Sequence, residues 1–362
     1  MRFITCLLFV IYMMGIVKGQ DVQSRINSIY VNDDEPGVSI AIKDNGIVNY
    51  YGKGLANLEN HIPISKSMNF RMASVSKQFT AMATFRLIEM GLINFDTKVR
   101  TILPELPDIT KNMTVGQFIN HSSGIWDYEN LIPETRTTQL SDADVLKYLA
   151  SIDSVYFEPG KQFRYSNTAY CLLALIVERV SRESYSDAVK ALIFDSIEAK
   201  NATVYPTKID SLRAYGYHPV QNRFPLADQS LTSSTKGDGG VYISAEEYSR
   251  WLNVSNSLFT VNFWKSLDEQ KVKVADSVYY SMGWFVMYDE NDMPYLFHSG
   301  ESTGFHNIVF FVPGKNQMIS IFTNRDDFKI ATLFEELLPE VEEVNIPKPL
   351  FNWLNKVYMN EF

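Results

Sequence analysis

Phe70-Arg71-Met72-Ala73-Ser74-Val75-Ser76-Lys77-Gln78-Phe79 places a serine and a lysine three residues apart at the start of a predicted helix. Apolar residues recur at Val75, Phe79, Met82, Ala83, Leu87 and Met90, near the 3.6-residue period, and Gly91 supplies a C-terminal stop. That spacing puts the Ser74 hydroxyl and the Lys77 amine on one face. Serine is a poor nucleophile until a neighbour takes its proton. A lysine one turn away can do so once burial or a second cation lowers its pKa. A serine in the first turn also brings a backbone N–H that is free to bind an oxyanion. Alone, the same residues fit a helix start with a solvated lysine, so the reading turns on the rest of the chain.

On the N-terminal side, residues 20–35 read as a short leading helix and linker. Val38-Ser39-Ile40-Ala41-Ile42-Lys43 then alternates with period two, Asp44-Asn45-Gly46 turns, and Ile47-Val48-Asn49-Tyr50-Tyr51 returns, which predicts a β-hairpin. On the C-terminal side, about 95 to 275 is mostly helix and loop. Thr114 caps a short helix, Ser141 and Asp144 stand at capping-box spacing, and Asn167 to Val180 and Ala245 to Leu252 read as further helices. Strands return at Tyr279 to Tyr288, Tyr295 to Phe297, Phe305 to Val312 and Met318 to Thr323. Phe305 to Val312 is nearly all apolar, so the sheet should be covered on both sides. Residues 328–338 read as a closing helix, and the tail with Pro347, Pro349 and Trp353 has no assigned place. The hairpin needs a partner, and the C-terminal strands are the available ones. The expected fold is therefore α/β (α+β): an antiparallel sheet from N- and C-terminal segments, flanked by helices, with a large helical insertion and a cleft at the join.

The 362 residues are 46% hydrophobic and 21% charged, an ordinary globular composition. Arg2, the apolar run Phe3 to Val17 and the small residues near Gly19 read as a secretory signal peptide over residues 1–19; about 15 apolar residues are short for a membrane span. Its removal takes Arg2 and Lys18, so the 33 basic side chains fall to 31 against 42 acidic ones, a net charge of −11. An acidic exported protein argues against nucleic acid or an anionic membrane as partner. Cys171 alone remains, in an apolar run, and is expected to be an inert core thiol. His61, His121, His218 and His306 are scattered, so no metal site is expected.

Three further segments bear on Ser74. In Tyr165-Ser166-Asn167 an extended backbone points Tyr165 and Asn167 the same way. A tyrosine beside a lysine is a feasible base, and an asparagine can hold both the lysine and a substrate amide. His298-Ser299-Gly300-Glu301 ends a predicted strand. His298 and Ser299 could bind a substrate carboxylate or assist proton transfer, Gly300 would admit close backbone approach, and the Glu301 N–H could complete an oxyanion hole. Gly237-Asp238-Gly239-Gly240-Val241-Tyr242-Ile243-Ser244 suits close packing beside a site and lacks the lysine of a phosphate loop.

In order, Ser74-Val75-Ser76-Lys77, Tyr165-Ser166-Asn167 and His298-Ser299-Gly300 resemble the motifs of the serine β-lactamase and penicillin-binding-protein superfamily. The resemblance runs from Pro36 to Arg325. It is strongest to the branch of class C β-lactamases, D-alanyl-D-alanine carboxypeptidases, D-aminopeptidases and esterases. His121-Ser122-Ser123-Gly124 and Gly239 to Ser244 resemble its structural features. The resemblance implies a β-lactamase/transpeptidase-like fold with Ser74 as acylated nucleophile, Lys77 and Tyr165 sharing general-base work, and Asn167 orienting lysine and substrate. It further implies that His298 lines the cleft, that the Ser74 and Glu301 N–H groups form the oxyanion hole, and that no cofactor is needed. Class C β-lactamases usually carry lysine where His298 stands, which points away from efficient β-lactam hydrolysis. The expectation is an exported serine hydrolase, periplasmic or secreted, acting on a small-molecule or peptide substrate through peptide, amide or ester cleavage. The alternatives are a class C-like β-lactamase or a penicillin-binding sensor that acylates without turnover. The expected domains are a signal peptide (1–19), a hydrolase domain (20–338, helical part about 95–275) and a tail (339–362), with no stable membrane span after cleavage.

Overall fold

Asn45 and Gly46 both take positive φ, 50° and 81°, as a two-residue type I′ hairpin turn requires, and so join the first two strands. The computed structural model describes residues 21–205, 212–253, 255–341 and 346–361; the predicted signal peptide lies outside them. Strands β1 (Val38–Asp44), β2 (Ile47–Lys53), β3 (Val272–Ala275), β4 (Val278–Ser281), β5 (Trp284–Tyr288), β6 (Pro294–Ser302), β7 (Phe305–Val312) and β8 (Gln317–Thr323) form one sheet. Its order is β2-β1-β8-β7-β6-β5-β4-β3, and every neighbouring pair is antiparallel. The hairpin thus finds its partner in the last strand, in register from Val38↔Thr323 to Lys43↔Met318. This is the expected sheet of N- and C-terminal segments.

All eight residues of β7 are buried. Successive side chains point to opposite faces, and Phe310 meets Phe334 while Phe311 meets Phe259. The helices that position the site are α1 (Lys77–Glu89), α2 (Asn167–Ser181), α3 (Ala245–Trp251), α4 (Lys329–Leu337) and α5 (Leu350–Tyr358). α1 packs along α2, and α3 packs on β1 and β8. α4 covers β7 and β8, and α5 lies on β6 and α4. Lys43 reaches from β1 to the end of α3, where its Nζ donates to the carbonyls of Ser249 (3.0 Å) and Leu252 (2.7 Å). Buried Asn324 ties three segments together by accepting from Gly37 N–H and donating to the carbonyls of Leu55 and Tyr215.

Four local readings change. The predicted helix from Ser74 divides into a 3₁₀ turn, Ala73–Ser76, and then α1. The run Tyr279 to Tyr288 is two strands, because Met282 and Gly283 take φ of 50° and 83° and turn the chain. A turn using Met282 carries no sequence signal. The glycine segment enters a strand, Val241–Ser244, in a small sheet with Asn69–Arg71 and Thr203–Val204. The unassigned tail contains α5, whose apolar Phe351, Leu354 and Val357 are buried. The capping boxes at Thr114–Gln117 and Ser141–Asp144 form. Among the described residues, no helix is long and apolar enough to cross a membrane.

Candidate active site

Ser74 sits where three elements meet. The small sheet delivers Arg71, and Ala73 then takes φ +47°, a left-handed conformation that costs an L-residue about 1 kcal/mol. The chain thereby turns at once into the 3₁₀ helix carrying Ser74. β6 crosses directly behind: a Cβ on Gly300 would lie 2.2 Å from Met72 O and 3.2 Å from Ser74 N, so only glycine lets strand and turn touch.

Lys77 is fully buried and its three donors are all used. Nζ lies 3.0 Å from Ser74 Oγ, 2.8 Å from Asn167 Oδ1 and 3.0 Å from the Asp238 carbonyl. It also sits 4.9 Å from the centre of the Tyr165 ring. Burial pulls its pKa down to about 8, against the opposing pull of Asp238. Asn167, the first residue of α2, uses its other end as well, with Nδ2 donating to Glu129 at 2.7 Å. Tyr165 is buried with its hydroxyl facing that of Ser74, but no well-formed hydrogen bond is completed. Burial drives that phenol well above its ordinary pKa, so it stays protonated. Its ring rests on His121 at 4.4 Å, and His121 Nδ1 accepts from Ser166 N–H, which gives His121 a structural place.

A cavity of about 230 Å³ opens over Ser74, lined among others by Asn167, Glu129, Asp238, Arg71 and Glu301. His298 does not line it. His298 is fully buried, with Nδ1 2.5 Å from the Ser299 carbonyl and Nε2 3.3 Å from the Tyr280 hydroxyl. Burial, with Lys77 nearby, takes its pKa down to about 3, so it is neutral. The reason is the tail: the Tyr358 ring stacks on His298 at 5.9 Å. Ser299 and Gly300 are likewise behind the cavity wall, and Glu301 is at its rim. Burial raises both Glu129 and Glu301 to about 7. A larger surface cavity of about 920 Å³, lined by Trp264, Tyr279 and Tyr288, contains none of these groups.

Sequence reasoning missed Glu129, Asp238 and Tyr358 as neighbours of the nucleophile. Glu129 and Tyr358 belong to no motif and reach the site from distant segments. Asp238 lies in a segment noted only for its glycines. Cys171 is buried as expected, but not in purely apolar surroundings: it converges with Asp142 and Asp238, their potential ligand atoms within 4.8 Å of one another. The Asp142 carboxylate accepts the N–H groups of Lys236 and Gly237, which explains its burial. Burial and those acids push the Cys171 thiol well up, so it is unreactive.

Comparison with known proteins agrees with this fold. The family model described as Beta-lactamase matches residues 24–333. Penicillin-binding protein 4* of Bacillus subtilis is 25% identical over 334 residues, covering 86% of this chain and 73% of that protein. The solved penicillin-binding protein of Bacillus halodurans superposes with a TM-score of 0.75 at 25% identity, covering 86% of this chain and 98% of the other. The D-amino acid amidase of Ochrobactrum anthropi shares the fold, with a TM-score of 0.72 at 21% identity over 89% of this chain and 98% of that one.

Proposed function

The chain belongs to the β-lactamase family, and on that premise we propose that it is an exported serine hydrolase cleaving amide, peptide or ester bonds through an acyl-enzyme on Ser74. The observation that carries the reading is Lys77 Nζ at 3.0 Å from Ser74 Oγ, buried and titrating at about 8. In its neutral form Lys77 takes the Ser74 proton as Oγ attacks the substrate carbonyl carbon. Asn167 and the Asp238 carbonyl hold the resulting ammonium. The N–H groups of Ser74 and Glu301 receive the oxyanion. The leaving group departs with the proton, passed from Lys77 by way of the neutral Tyr165 phenol, and water then releases the acyl group by the reverse path. Tyr165 is thus a proton carrier rather than a standing base. His298, neutral and buried, shapes the wall instead of binding a carboxylate.

The acids Glu129, Asp238 and Glu301 outnumber the one cation, Arg71, in the cavity lining, which favours substrates that bring an amine rather than a carboxylate. A similar fold bears the name D-amino acid amidase, and an amino acid amide has that charge. The hydrolase domain would comprise 20–338 together with α5 of the tail, which packs on β6 and α4, behind a leader of residues 1–19, with the helical part at about 95–275.

The test is intact-mass analysis after exposure to a fluorophosphonate, a penicillin, a D-amino acid amide and a short-chain ester, with product release followed in parallel. A single adduct mapping to Ser74 and absent from Ser74→Ala is expected, with turnover of the amide or ester exceeding that of the penicillin. Labelling of Ser74→Ala at the wild-type rate would sink the assignment.

A further inference from the structure

β5 pairs with β6 only as far as Phe285↔Phe297, whereas β7 follows the other side of β6 to Ser302↔Phe305. From His298 onward, one edge of β6 therefore has no strand beside it among the described residues. Extended backbone alternates, so the N–H and C=O of Ser299 and of Glu301 face the same way along that edge. An edge of this kind, beside a nucleophile, is where an extended substrate can add its own backbone.

At Ser299 the place is already taken. The Ser299 N–H donates to the Tyr358 hydroxyl at 3.2 Å, and the two hydroxyl oxygens lie 2.8 Å apart. The Tyr358 O–H also lies 3.2 Å from the Ser299 carbonyl and 3.3 Å from His298 Nδ1. The ring packs 4.6 Å from that of Tyr165. Three residues earlier on the same face of α5, the Asn355 side-chain amide lies against both carboxylate oxygens of Glu301. One face of one helix covers two successive edge residues of the site.

The geometry points to Tyr358 as a specificity-determining residue that fills the Ser299 end of the β6 edge and excludes substrates whose leaving group carries a carboxylate. This rests on the Ser74 acyl-enzyme reading. A carboxylate next to the scissile bond needs strong donors near Ser74, and the Ser299 N–H and hydroxyl are such a pair. Tyr358 satisfies both with a neutral phenol. His298 offers no positive charge to compete for the carboxylate, and Glu301 repels it in its ionised form, above about pH 7. A leaving group without charge needs no such donors and loses nothing.

Two thioesters test this, N-benzoylglycyl-thioglycolate and N-benzoylglycyl-thioglycolamide, which differ only in the carboxylate of the leaving group. In both, Ser74 Oγ bonds to the carbonyl carbon, the C–S bond breaks, and the free thiol leaves with the serine's proton, where a thiol reagent counts it. The ratio of kcat/KM, acid over amide, should be well below one in the wild type. Tyr358→Ala should raise that ratio about tenfold, the scale of one regained hydrogen bond to a charged group. Tyr358→Leu keeps an apolar contact with the Tyr165 ring while opening the space and freeing the Ser299 donors, so it should raise the ratio several-fold, and it decides the question if the alanine variant does not fold. A ratio unchanged within twofold in the folded variants, with the Ser74 adduct still seen by intact mass, overturns the role of Tyr358 and leaves the serine hydrolase reading standing. Absence of thiol release from both thioesters, together with no fluorophosphonate adduct on Ser74, overturns that reading, and the Tyr358 proposal with it.

Discussion

Lys77 and His298 show how burial alone divides labour between two basic side chains. Both are fully buried, and both lose affinity for the proton. Lys77 starts from 10.5 and arrives at about 8, where a useful fraction is unprotonated near neutrality; His298 starts from 6.5 and arrives at about 3, where it never charges. Acylation at Ser74 should therefore rise about tenfold per pH unit below 8 and level off above it, in stopped-flow traces with a neutral ester. A flat profile between pH 6 and 9 would remove Lys77 as the base. A lysine in place of His298 looks conservative within the superfamily, but here it would face Lys77 in a space closed by Tyr358. His298→Lys is expected to lower stability by about 3 kcal/mol, the scale of an uncompensated buried charge, in urea denaturation. Wild-type stability would mean that the lysine finds water or a carboxylate.

The elements that hold the nucleophile depend on two small residues. Ala73 pays for the turn with a left-handed backbone, and Gly300 lets β6 lie against it. Ala73→Gly should hold or raise the melting temperature, whereas Ala73→Val, β-branched at positive φ, should lower it clearly in a thermal melt. Gly300→Ala must separate strand from turn, and a displacement near 1 Å at the reacting atoms should lower the acylation rate about 10²-fold. Much of this layout was legible in the sequence. Hairpin, capped helices, covered strands and the Ser74–Lys77 spacing are local patterns, and local chemistry sets them. The turn at Met282-Gly283 was not, because its backbone is imposed by packing: a Cβ on Gly283 would lie 2.7 Å from Lys77 O. Nor was the burial of His298, since nothing within the HSGE segment tells that Tyr358 returns to cover it. Glu129 was invisible for the same reason, its partner Asn167 lying 38 residues away.

At the scale of the whole molecule, the buried ionisable groups set how stability follows pH. Glu129, Asp142 and Glu301 are raised to about 7, so their contribution to stability falls as pH rises from about 4 to 7, while the lowered His298, His121 and His306 offset part of it up to about 6.5 and leave the net fall concentrated near 7. Lys43 and Lys77 are lowered to about 8, so the folded state binds fewer protons from 8 to 10.5, and their contribution rises with pH there. Thermal melts at pH 5.5, 7.5 and 9.5 should show the lowest melting temperature at 7.5. A monotonic trend would mean these groups are more hydrated than their burial implies. The pairing of β1 with β8 has a consequence in time. While the polypeptide is being made, Val38 to Lys43 have no neighbour on that side until Gln317 to Thr323 emerge. A nascent chain stopped earlier carries a long apolar strand with an open edge, able to pair with other chains but not to complete the native sheet. Assembly of the centre of the sheet must therefore wait until Thr323 has been made, and the growing chain stays open and threadable until then.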